Sequence, residues 1–194
     1  MKYIAKVREH FRRVPVFTIS DLKVLFRKIG ISKSYLRLLI HNLLAKGEIK
    51  KISRGIYSFR SETEVVGFGF RPFYYGLQDA LSLHNLWEQE TNPVVITPRK
   101  VRSGIRNFEG ANYVIRRIKR EMFFGFTLIK YSDFWIPVSN IEKTVIDFVY
   151  FRQQLNIEVL KEIRKKLDWK TLKSYLKRCP LWVKNGVLKA CGLS

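Results

Sequence analysis

Thr18-Ile-Ser-Asp-Leu-Lys, then Gly30-Ile-Ser-Lys-Ser-Tyr, then Gly47-Glu-Ile-Lys-Lys-Ile-Ser-Arg-Gly-Ile-Tyr57, is the stretch that decides the fold of this 194-residue chain. It punctuates as helix, tight turn, helix and short basic hairpin. Thr18 with Asp21 three residues on is a variant of the capping box that starts a helix. Leu22, Leu25, Phe26 and Ile29 are expected to form that helix's buried stripe, and Gly30 supplies the left-handed residue that closes it. Ser32 caps the next helix, which runs to about Lys46 with Gly47 as its C-terminal glycine. Leu36, Leu39, Ile40 and Leu43 recur at i, i+3, i+4 and i+7 and so define its buried face. Glu48 to Ile52 and Ile56 to Phe59 alternate as two short strands, and Gly55 gives the positive φ that their tight connection needs. This is the outline of a winged helix-turn-helix, which places its second helix in the DNA major groove.

Outward from that stretch, Tyr3, Ile4, Val7 and Phe11 predict a first helix from Tyr3 to Arg12, with Pro15 beyond its end. The exposed face of the second capped helix is expected to carry Lys33, Ser34, Arg37 and His41. An arginine there can make a bidentate pair with guanine, while Ser34 suits a base edge or phosphate and Lys33 suits phosphate. Lys50, Lys51, Arg54 and Arg60 cluster on or beside the hairpin, where they can grip phosphate, and Arg54 also suits a narrow minor groove.

Charge agrees with a polyanion partner. The chain holds 37 Lys and Arg against 16 Asp and Glu, a formal net charge of +21. Residues 1–62 carry 15 against 4, and residues 63–194 carry 22 against 12. Such self-repulsion favours a protein that meets something anionic, and double-stranded DNA is the expected partner. Two cysteines, Cys179 and Cys191, form neither a disulfide framework nor a zinc pattern. The opening Met-Lys-Tyr-Ile-Ala-Lys-Val-Arg is charged and amphipathic, unlike a signal peptide, and no apolar run spans a bilayer. A cytoplasmic protein without a membrane partner is the expectation.

After Tyr57, Ser61 to Glu64 is read as a short linker, dividing the chain into units 1–62 and 63–194. Phe73 to Trp87 is expected as a helix, Pro93 to Thr97 as a buried strand, and Arg99 to Arg106 as a basic loop. Asn112 to Ile118 and Phe124 to Tyr131 are two more strand candidates. Ser139-Asn-Ile-Glu142 is read as a capping box starting a helix to about Phe151. Ile157–Leu167, Trp169–Lys177 and Trp182–Ala190 follow as helices. The fold class is therefore α+β, a winged helix followed by an α/β unit with a small three-stranded sheet and a helical C-terminal end. A secondary basic patch is expected to gather Arg99, Lys100, Arg102 and Arg106 with Arg116, Arg117, Lys119 and Arg120.

Three segments resemble the AbiEi family, the abortive-infection antitoxins of toxin–antitoxin pairs. Leu44 to Tyr57, as Leu-x-x-Gly-Glu-Ile-x-x-Ile-Ser-Arg-Gly-Ile-Tyr, looks like the wing of that family. Tyr75-Gly-Leu-Gln-Asp-Ala-Leu-Ser-Leu-His-Asn-Leu86 is similar to the helix opening its antitoxin domain, and Val94 to Thr97 follows at the family spacing. Pro137-Val-Ser-Asn-Ile-Glu-Lys-Thr-Val-Ile-Asp147 matches its next helix start. The resemblance covers roughly residues 3–150. It implies a repressor of its own toxin–antitoxin operon, active in phage defence. It also implies that a nucleotidyltransferase-type toxin is counteracted functionally rather than in a stable complex.

Catalysis is not expected. His10, His41 and His84 lack ligand spacing, so no metal site or cofactor is predicted, and His84 reads as a hydrogen-bonded core residue. The alternative is a basic nucleic-acid-processing enzyme with a winged-helix targeting domain, foremost a metal-dependent nuclease using Asp133, Glu142 and Lys143. Its spacing is poor, and Asp147 falls a turn too late to help. Gly67-x-Gly69 lacks the third glycine of a dinucleotide fingerprint.

Overall fold

Apolar spacing sets the first element. Ile4, Val7 and Phe11 are the buried residues of α1 (Ile4–Phe11) in the computed structural model, which describes residues 3–89 and 91–192. The chain then forms a two-residue strand, β1 (Phe17–Thr18), and enters α2 (Ile19–Leu25). The capping box is reciprocal: Thr18 Oγ1 accepts the Asp21 N–H at 3.2 Å and the Asp21 carboxylate accepts the Thr18 N–H at 2.7 Å. Beyond Leu25 the winding tightens into a 3-10 turn, Arg27–Ile29, closed by Gly30 at φ 68°. The tighter turn carries Ile29 off the buried stripe. It is 46% exposed, against the sequence expectation.

Ser32 Oγ accepts the Tyr35 N–H and starts α3 (Lys33–Ala45), whose Leu36, Leu39, Ile40 and Leu43 are buried. The hairpin of β2 (Lys50–Ser53) and β3 (Ile56–Ser58) turns at Arg54-Gly55, with Gly55 at φ 79°. β1 pairs with β3, giving the sheet order β1-β3-β2. A bidentate Arg8–Glu48 pair at 2.6 Å ties α1 to the approach to the hairpin. Val7, Phe17, Leu22, Phe26, Leu36 and Leu39 belong to one apolar cluster beneath these elements.

At the end of the expected linker the chain packs into the protein. Thr63–Phe70 winds as a 3-10 helix with Val65 to Phe70 all buried. The Tyr75 hydroxyl donates to the Glu64 carbonyl and accepts the Gly67 N–H at 3.0 Å. A Cβ at Gly67 would lie 2.1 Å from the Phe73 ring, so this glycine serves close packing rather than a phosphate loop.

Among the described residues six further strands form one mixed sheet, not the three expected. In chain order they are β4 (Tyr74–Tyr75), β5 (Val94–Thr97), β6 (Gly104–Phe108), β7 (Ala111–Arg117), β8 (Phe126–Tyr131) and β9 (Phe134–Ser139). The spatial order is β6-β7-β5-β4-β9-β8, with β5·β7 and β4·β9 parallel. Tyr74 and Tyr75 were expected in a helix. They lie mid-sheet, and only Gln78–Leu83 is helical (α4), because Leu77 sits at φ 59° and breaks the turn before it. The basic loop ends at Ser103, since Gly104 to Arg106 already pair with β7.

Period-two alternation divides the core. Tyr75, Val95, Ile115 and Ile136 face a cluster with Val65, Phe68 and Phe70, which also takes in Ile52 from β2. Tyr74, Val94 and Ile96 face the helices α5 (Ile141–Tyr150), α6 (Ile157–Lys166), α7 (Trp169–Leu176) and α8 (Leu181–Ala190). The cap of α5 is Asn140, which accepts the Lys143 N–H at 3.0 Å. Ser139, expected as that cap, ends β9 and bonds Thr144 through its hydroxyl.

Candidate nucleic-acid interface

Because Leu36, Leu39, Ile40 and Leu43 turn one side of α3 inward, Lys33, Ser34, Arg37 and His41 stand exposed on the other. The capped α2 precedes this face, and the hairpin follows it. Lys51 and the turn residue Arg54 are exposed as well. The arrangement offers a row of charged and polar groups for base edges and phosphate, carried on a rigid helix. Sequence reasoning missed Leu38, which is 45% exposed on the same side between Arg37 and His41. Its absence from the i, i+3, i+4 core stripe was the signal. An exposed apolar residue there suits a thymine methyl.

Lys50 and Arg60 are placed differently. Lys50 Nζ lies 2.5 Å from Glu109 at the β6–β7 turn. Arg60 is only 10% exposed and reaches Asp133 at 2.6 Å and Glu62 at 3.1 Å, with its guanidinium 4.9 Å over the Phe134 ring. Hydrogen bonding to Arg60 holds the Asp133 carboxyl below its ordinary range. Both cations therefore fasten the first unit to the large sheet.

The two clusters of the secondary patch adjoin. Ser103 Oγ accepts the Arg117 N–H at 3.1 Å, and β6 pairs with β7 from Gly104 to Phe108. Within the patch Lys100, Arg102, Arg117, Lys119 and Arg120 are exposed, whereas Arg116 is half-buried. Arg99 donates to the Gly69 carbonyl, and Arg106 donates to the Arg102 carbonyl and lies over Phe70.

The acidic residues weighed for a nuclease are dispersed. Asp133 is held by Arg60, and Glu142 accepts the Asp168 N–H at 2.8 Å. Lys143 is fully buried against Asp147, whose second oxygen accepts the Tyr74 hydroxyl at 3.0 Å. No group of three acidic, histidine or cysteine side chains is placed to hold a metal among the described residues. His84 Nε2 bonds the Ser139 carbonyl oxygen at 2.7 Å, a structural contact. Cys179 and Cys191 are free thiols, both pushed up by burial. No helix of the described residues is long and apolar enough to cross a membrane.

Residues 5–60, the span of α1 through the hairpin, match the family model for the AbiEi antitoxin, a transcriptional regulator. This segment is similar to the AbiEi regulators. The matched segment is thus the part that carries the exposed α3 face and Arg54. No curated protein matches the chain. Among solved structures, the RV2827C protein from Mycobacterium tuberculosis is similar in fold, with a TM-score of 0.62 at 12% identity. That likeness covers 99% of this chain and 78% of the other, so it extends well beyond the AbiEi segment.

Proposed function

We propose that the chain is a DNA-binding transcriptional repressor acting as the antitoxin of a toxin–antitoxin pair. Residues 1–62 form a winged helix-turn-helix that reads the operator, and residues 63–194 form the antitoxin-type unit. Within the first unit α3 lies in the major groove, with Arg37 and Ser34 toward base edges and Lys33 toward phosphate. Arg54, at the hairpin tip, takes phosphate or the adjacent minor groove, and Lys51 adds a phosphate contact. Lys50 and Arg60 hold the unit in place.

The observation that carries this reading is the α3 face: Lys33, Ser34, Arg37 and His41 are all exposed within a segment that matches the AbiEi regulators. Counteraction of a nucleotidyltransferase-type toxin follows from the family, and the dispersed acidic groups give a nuclease no support. A reporter driven by the promoter of the chain's own operon tests the reading. Repression by the full chain that is lost in Arg37→Ala is expected. Equal reporter output with and without the chain would overturn it.

A further inference from the structure

We propose that the helical face around Trp182 is a second nucleic-acid surface, which takes unpaired bases of single-stranded RNA. Trp182 lies in the first turn of α8 and is 47% exposed. Its ring stacks on Tyr150 at 6.0 Å and 23° between planes, and the Arg152 guanidinium lies 5.8 Å from it. The platform is held rigidly. Four residues after Trp182, on the same side of α8, Gly186 meets Val149 so closely that an added Cβ would stand 2.7 Å from it. That approach fixes the middle of α8 against the end of α5.

Arg152 occupies an unusual position. The Arg152 N–H bonds the Val149 carbonyl and the Gln153 N–H bonds the Phe148 carbonyl, which is the closing pattern that favours glycine at the left-handed residue. Here that residue is an arginine at φ 54°, and its charged group stands beside the exposed indole. The surface then continues into the secondary patch, because the Lys119 N–H reaches the Tyr150 hydroxyl at 3.4 Å and Lys119 and Arg120 are exposed.

An exposed aromatic ring braced by Tyr150, with a guanidinium beside it and further exposed cations beyond, is what a strand with free bases needs, one part for stacking and the other for phosphate. Duplex DNA keeps its bases stacked inside and offers nothing to Trp182. Loops, bulges and ends of RNA present them. The surface is also separate from the α3 face. The first unit is fastened to the sheet face bearing Val95 and Phe134, while α8 belongs to the layer on the other face.

The test is fluorescence anisotropy of the full chain with a labelled oligouridine of about 12 nucleotides. A duplex DNA and the matching oligodeoxythymidine serve as the other arms. Trp182→Leu is expected to weaken oligouridine binding about tenfold while leaving duplex binding unchanged, and Trp182→Phe is expected to retain it. Arg37→Ala should show the reverse pattern, so failure here is distinguishable from failure of the operator reading. Thermal melting of each variant confirms folding. Oligouridine binding that ignores Trp182→Leu, binding that is absent altogether, or a tighter complex with the oligodeoxythymidine or the duplex at Trp182 would overturn the proposal.

Discussion

Arg60 Nη2 lies 2.6 Å from Asp133 Oδ2, a contact that joins residues 73 apart in sequence and ties the end of the basic hairpin to the β8–β9 turn. Arg60 also donates to Glu62 and to the Arg13 carbonyl and covers the Phe134 ring. Removing it strands three acceptors and uncovers an aromatic face. Arg60→Ala is expected to lower unfolding free energy by about 2 kcal/mol in urea titrations. Asp133→Ala should cost less, since Asp133 is the 56%-exposed end of the pair. The pair has an acid limit as well. The folded Asp133 carboxyl is held below its ordinary value, so its contribution is present above that value and fades as pH falls through the depressed one. A double-mutant cycle repeated in increasingly acid buffer should show the coupling fade only once pH falls below the ordinary carboxylate range.

The two helix caps are independent of this tie. Thr18→Ala and Ser32→Ala each remove an oxygen that accepts a backbone N–H at a helix start. Each should cost about 1 kcal/mol, read as a shift in denaturation midpoint. Because the caps lie on different helices and share no partner, the double variant should be close to additive.

Asp79 sets a different pH dependence. It is 5% exposed, accepts the Val94 N–H at 3.2 Å, and burial raises its carboxyl to about 8. Folded protein therefore keeps a proton that the unfolded chain gives up near its ordinary carboxylate value. The contribution is full in acid and is lost as pH rises towards about 8, with a slope near 1.4 kcal/mol per pH unit. Asp79→Asn should remove that slope and raise the melting temperature at neutral pH. A variant whose stability falls between pH 5 and pH 8 as steeply as the parent would show that Asp79 is not the cause.

The hairpin cations should separate by salt. Lys51→Ala and Arg54→Ala remove exposed charges and are expected to weaken binding to every duplex sequence. Each should reduce the slope of log affinity against log salt by about 0.9. Lys50→Ala breaks an ion pair with Glu109 and should leave that slope nearly unchanged while lowering stability. Anisotropy titrations across a salt series distinguish the two behaviours.

The first sixty residues were legible because their structure is declared locally. Thr18, Gly30, Ser32, Gly47 and Gly55 each mark a boundary through their own backbone or side chain, and α3 shows its buried face in four leucine and isoleucine positions. Beyond Tyr57 the determinants are distant. Tyr74 and Tyr75 lie in a hydrophobic run that fits a helix, and only their partners Val95 and Val138 make them a strand. Phe134, Ile136 and Val138 alternate, but the Pro137–Asp147 segment reads only as the approach to a helix, so β9 is not expected from the sequence. β9 is an interior strand between β4 and β8, and Pro137 stands opposite Leu128 in it. The hidden strand also displaced the predicted cap of α5 from Ser139 to Asn140. In the α3 face, the residue types and their exposure were readable, whereas the commitment of Lys50 and Arg60 to Glu109 and Asp133 was not. Those partners lie more than fifty residues away and are brought close only by the docking of the two units.

The most direct measurement is the affinity of the full chain and of Arg37→Ala for a duplex taken from upstream of the chain's own operon, with base substitutions scanned along it. Arg37→Ala is expected to lose about 1–3 kcal/mol and to become indifferent to the base at one position. Operator binding that is unchanged in Arg37→Ala at every substituted duplex, or that survives deletion of residues 1–60, would contradict it.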